Sequence, residues 1–243
     1  MTHQMAQTTP DPDLLLQLRA ELQRAADPAR AASMQAYMKS AMPYHGVPAV
    51  PMRAIFSRLF APRHFDSAPR WREEVLALFR RAQFREERYA AVELSGHRLA
   101  RPFQDLDTLP MYEEMIVSGA WWDYVDVLAA HRLGGLLRKE PQAVAQVMRA
   151  WSRSDDLWKR RSAILCQLQL KKDTDPALLA DCLAPALPSR EFFLRKAVGW
   201  ALRQYARTAP QWVLDYVREH RAELSPLSQR EALKHLTAPD SSS

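Results

Sequence analysis

Apolar residues return every three to four positions along most of the chain, as in the stretches LLLQLRAELQ and EEVLALFRRA. That spacing gathers them on one face of a helix, and no alternating run with hairpin turn chemistry interrupts it. The pattern predicts an all-α protein. Breaks are short and carry prolines or capping residues: ADPAR, FAPRHFDSAPR, DTLP, KEPQ, DTDP, LPSRE, TAP and LSPLS. Helices of roughly 10 to 16 residues joined so briefly fold back antiparallel, as in a bundle or a helical solenoid.

An internal repeat favours the solenoid. A shift of 35 residues superposes LWKRRSAILCQL on FFLRKAVGWALR, with Leu157 on Phe192, Arg161 on Lys196 and Ser162 on Ala197. Basic residues followed by small and apolar ones recur at Arg88 in RYAAVEL and at Arg230 in REALKHL. Their spacings, 73 from Arg88 to Arg161, then 35 and 34, are those of two-helix HEAT-like repeats. The expectation is a right-handed superhelical α-solenoid of such repeats. Its repeated cations would line one concave wall suited to a phosphate backbone; the plainer alternative is that each is an ordinary solvated helix charge.

One step of 35 back from Arg161 lands on Asp126, and one step back from Leu157 lands on Trp122. An acid therefore stands where the other repeats carry a base, in the segment WWDYVDVLAAH. Trp122 and Asp126, four residues apart on one predicted helix, share a face. A carboxylate among phosphate-binding cations is repelled by DNA unless the ligand brings a positive charge of its own.

Composition fits a partner of that kind. The 243 residues include 34 Lys and Arg against 28 Asp and Glu, a formal charge of +6, with a pI near 9.5, which favours a polyanion. Such a length is compatible with one domain, placed at 11–237 between flexible tails at 1–10 and 238–243. No apolar run approaches the roughly 18 residues of a membrane span, and the N-terminal MTHQMAQTTPDPD lacks the basic start and apolar centre of a leader, so a cytoplasmic location at the nucleoid is expected. Cys166 and Cys182 lack paired spacing and read as reduced, buried residues. His45, His64, His97 and His131 show neither H-x-H nor H-E-x-x-H spacing, so neither metal nor other cofactor is expected; phosphate-loop and serine-hydrolase signatures are missing as well.

A cationic ligand suggests specific chemistry. Purines alkylated at N3 or N7 are positively charged, and breaking their N-glycosidic bond develops further positive charge on the deoxyribose. One aspartate beside that sugar would stabilise the oxocarbenium-like transition state and orient water, and the leaving base, already cationic, needs no general acid. Faces of Trp122 and Trp200 would pack on sugar and lesion. Each residue also has a structural reading: Asp126 as a plain ion-pair partner of Arg161, Asp123 as a local cap, and Trp121, Trp151, Trp158 and Trp212 as packing.

The blocks WWDYVDVLA, SDDLWKRRSAILCQLQLK and EFFLRKAVGWALRQYARTAP, with LSPLSQREALKHL and a looser YMKSAMPYHGVPAVPMRAIF, resemble in content and order the AlkD-like DNA alkylation repair glycosylases, built from HEAT-like repeats. The resemblance implies hydrolysis of N3- and N7-alkylpurines in duplex DNA by a monofunctional glycosylase, with no Schiff-base lysine and no strand cleavage. Asp126 would be the catalytic carboxylate, with Trp122 and Trp200 completing the site. Arg161 and Arg203 would contact DNA, as would the repeat cations Lys196, Arg88 and Arg230. The partner would be double-stranded DNA bearing alkylated bases, the protein a monomer. The competing reading is a non-catalytic HEAT-like DNA-binding or scaffold protein.

Overall fold

The computed structural model describes residues 12–236; the tails expected at 1–10 and 238–243 lie outside them. Among the described residues every regular element is helical, as the three- and four-residue spacing predicts. Two compact units meet in sequence between Gln104 and Asp105.

The first unit contains α1 (Pro12–Arg24), α2 (Pro28–Met38), α3 (Ala49–Phe60), α4 (Ala68–Arg80) and α5 (Arg85–Leu94). The buried Glu86 of α5 accepts hydrogen bonds from the backbone N–H groups of His45, Gly46 and Val47, which ties the loop before α3 to the unit's centre. Gly46 is required there: its φ is +84°, and a Cβ would lie 2.2 Å from the Asp27 carbonyl. Pro48 caps α3 and Pro51 lies in its first turn, where the absent N–H leaves no helical hydrogen bond unmade.

The second unit contains α6 (Leu109–Gly119), α7 (Trp122–Val127), a π-helical turn (Leu128–Leu133), α8 (Gly134–Lys139), α9 (Pro141–Ser152), α10 (Leu157–Leu165), α11 (Pro176–Leu183), α12 (Phe192–Ala206), α13 (Pro210–Glu219) and α14 (Pro226–Leu233). Two of the breaks read from sequence hold side-chain caps here, at Asp175 and Ser225, and Asp156 caps α10 outside those breaks. Asp156 accepts from the N–H groups of Trp158 and Lys159, Asp175 from those of Ala177 and Leu178, and Ser225 from Ser228, with Pro176 and Pro226 opening their helices. Leu165, Leu183, Leu194, Ala197, Val198 and Leu202 are buried in one core to which α10, α11 and α12 all contribute. Two glycines permit close helix approach: a Cβ at Gly134 would lie 2.7 Å from the Cys166 carbonyl, and one at Gly199 2.5 Å from Cβ of Glu231. Both cysteines are free and buried, and burial pushes the Cys182 thiol up to about 12.

Candidate active site

Seven of the eight residues singled out from sequence lie in the second unit; Arg88 lies in the first. Helix α6 ends at Ala120 in the left-handed conformation, the extended Trp121 follows, and α7 begins at Trp122. Asp126 sits one turn further on, just before the π-helical turn, an element that inserts a residue into the helical ladder and re-aims the side chains around it.

The Asp126 carboxylate meets Arg161 of α10 in a two-pronged ion pair, Nε to Oδ1 at 2.7 Å and Nη2 to Oδ2 at 2.8 Å. Their separation in sequence is 35 residues, the repeat shift. The third guanidinium nitrogen donates to the Phe193 carbonyl at 2.5 Å, so Arg161 joins α7, α10 and α12 at one point. Its side chain is only 4% exposed, whereas Asp126 keeps 13%. Arg161 thus sits behind the carboxylate and presents it, and its donors are directed into the protein. Burial raises the Asp126 carboxyl above the usual aspartate range; the Arg161 hydrogen bonds and charge act against that rise, and Asp123 adds to it.

Beneath the pair lies an aromatic cluster. The Phe193 ring packs against Trp158 at 5.0 Å and Trp121 at 5.5 Å between centroids. Trp151 and Trp158 are buried, and Trp212 stacks on Tyr216, so these indoles pack as expected. Asp123 accepts from its neighbour's N–H, that of Tyr124. Trp122 and Trp200 are both partly exposed, and Trp200 packs its inner edge on the core.

On α12, Phe193, Lys196, Trp200 and Arg203 fall within about 80° of one another at roughly 100° per residue, so one face carries the aromatic anchor, both cations and the indole. Lys196 and Arg203 share a partner that sequence reasoning missed, Glu231 of α14: Lys196 donates to Oε1 at 2.7 Å and Arg203 to Oε2. The available signal was the period itself, since Glu231 stands 35 residues after Lys196. Arg230, one position earlier, is exposed on α14. Arg88 is half-buried, its guanidinium over the Phe79 ring at 4.8 Å.

Among the described residues no group of three or more His, Cys, Asp or Glu side chains has the arrangement to hold a metal ion. No helix among them is long and apolar enough to cross a membrane.

The second unit thus carries a carboxylate held by a buried arginine, an indole four residues before it on the same helix, and a second indole with two cations on one face of α12. The DNA alkylation repair enzyme family matches residues 18–236. A predicted DNA alkylation repair enzyme from Enterococcus faecalis superposes with a TM-score of 0.80 at 31% identity, over 88% of this chain and 98% of that one. The Pseudomonas fluorescens alkylpurine DNA glycosylase AlkC, bound to DNA containing an abasic site analogue, superposes with a TM-score of 0.53 at 18% identity, over 92% of this chain and 62% of that one; this likeness is one of fold. No curated protein matches the chain. On the span of the family match and the likeness to the enterococcal protein, the chain belongs to the DNA alkylation repair enzyme family.

Proposed function

We propose that the protein is a monofunctional DNA glycosylase that hydrolyses the N-glycosidic bond of cationic N3- and N7-alkylated purines in duplex DNA. The observation that carries this reading is the two-pronged hold of buried Arg161 on the partly exposed Asp126. A carboxylate held in this way is oriented before substrate arrives, so little reorganisation is needed when charge develops opposite it. As the bond from sugar C1′ to the purine breaks, the base departs with the bonding electrons and becomes neutral. The positive charge passes to the sugar, where Asp126 opposes it and orients the water that adds to C1′. Trp122 and Trp200 pack on sugar and lesion, and Lys196, Arg203 and Arg230 hold phosphates; Arg88, a phosphate contact by its repeat position, lies in the first unit with its guanidinium over the Phe79 ring. Arg161, expected from sequence to contact DNA, gives three of its five donors to Asp126 and the Phe193 carbonyl and is only 4% exposed, so it acts through the carboxylate as a positioning residue. Within the second unit the face of α12 supplies these contacts, and a monomer suffices.

The same ion pair would serve a DNA-binding scaffold without chemistry, and product analysis separates the two. Incubation with methylated duplex DNA is expected to release free N-methylpurines and leave abasic sites in unbroken strands. Binding without release of any base would establish the scaffold reading.

A further inference from the structure

Glu231 reaches α12 because residue 199 is glycine. A Cβ there would lie 2.5 Å from Cβ of Glu231 and 2.9 Å from the Ser228 carbonyl. From that close approach the carboxylate spans two helical turns, taking Lys196 on one oxygen and Arg203 on the other. On the helical wheel, at about 100° per residue, the two cations lie between Gly199, where Glu231 arrives, and Trp200. Their side chains are 41% and 22% exposed, against 16% for Glu231. The carboxylate is therefore tucked behind cations that face solvent. The hydrogen bond from Lys196 holds the Glu231 carboxyl below its usual range, so it is charged at neutral pH. An ammonium has three donors and a guanidinium five, and one from each goes to Glu231, so both can still grip phosphate.

We propose that Glu231 determines specificity by lowering the positive charge beside Trp200, so that this face of α12 holds phosphate without repelling a purine that is itself cationic. This rests on the role given above to Trp200 and its flanking cations. Undamaged DNA brings only anions to the face, while damaged DNA adds a cation. Two uncompensated positive charges would favour the first and oppose the second. With a screening length of about 8 Å at physiological salt, the effect belongs to groups as close as these.

Glu231→Gln keeps the size of the side chain and removes its charge. The test measures its affinity for undamaged duplex across a salt series, together with single-turnover release of a cationic alkylpurine from duplex of the same sequence. Expected are tighter binding to undamaged DNA, a log–log salt slope steeper by about 0.9, roughly threefold over a fourfold change in salt, and slower release. Glu231→Asp, which keeps the charge, stays near wild type in both. Lys196→Met, which leaves Glu231 opposite Arg203 alone, flattens the slope by a similar amount and provides a reading even if Glu231→Gln is poorly folded. A slope unmoved in both charge-changing variants, or tighter binding by Glu231→Gln with undiminished release, overturns the proposal while the glycosylase reading stands. Wild-type protein that releases no base from any alkylated duplex removes that reading, and this inference with it.

Discussion

Arg161 and Asp126, 35 residues apart, meet through two parallel hydrogen bonds of 2.7 and 2.8 Å, and the arginine is the more deeply buried of the two. Removing the guanidinium leaves a largely buried carboxylate without its counter-charge. Breaking a buried pair in this way costs about 3–5 kcal/mol, and the solvent path to Asp126 places Arg161→Ala toward the lower end. Arg161→Lys restores the charge but not the fork, and regains only part of the loss. Urea denaturation of the three proteins checks the order wild type, lysine, alanine.

Trp122 and Trp158 should part company on substitution. Trp158 is buried in the aromatic cluster under the ion pair, so Trp158→Ala costs about 3–5 kcal/mol of stability. Trp122 is partly exposed on the Asp126 face; Trp122→Ala lowers base release by at least tenfold with a smaller effect on the melting temperature. Paired melting curves and release rates check the separation.

Gly199→Ala inserts a methyl group where the Ser228 carbonyl and Cβ of Glu231 leave no room. Pushing α14 off α12 costs about 1–3 kcal/mol and moves Glu231 away from Lys196 and Arg203. Thermal melting reports the first effect, and a steeper salt dependence of DNA binding the second.

Two carboxylates give pH dependences of opposite sign. Burial raises the Asp126 carboxyl, so the reaction, which uses the ionised form, fails on acidification at a higher pH than an ordinary aspartate would dictate. The stability linked to that raised value is fully present below the unfolded pKa and is lost as pH rises through the folded one. Glu231 is lowered, chiefly by Lys196, so its stabilising contribution is present above its unfolded pKa and is lost as pH falls through the folded one. A pH–rate profile tests the first; denaturation of wild type and Glu231→Gln across acid pH tests the second, with the difference between them vanishing at the acid end.

Much of this was legible in the sequence because a helical repeat writes its geometry as a period. The three- and four-residue spacing marked the helices, and prolines and capping residues marked breaks that hold caps at Asp27, Ser67, Asp175 and Ser225. The shift of 35 joined Asp126 to Arg161 before any contact was known, and the two do pair. The same shift runs from Lys196 to Glu231, but the repeated base falls one residue earlier, at Arg230, and masks it. Whether a charge faces solvent or a partner depends on what the neighbouring helix brings, so the burial of Arg161 was hidden, as was the part played by the Phe193 carbonyl, a backbone atom that carries no side-chain signature.

The proposed role of Asp126, stabilising positive charge on the sugar as the base leaves, is decided by the rate of alkylpurine release by Asp126→Asn under single-turnover conditions. A loss of about 10²-fold or more is expected, with binding to duplex holding an abasic-site analogue retained. Release by the asparagine variant at the wild-type rate would contradict it.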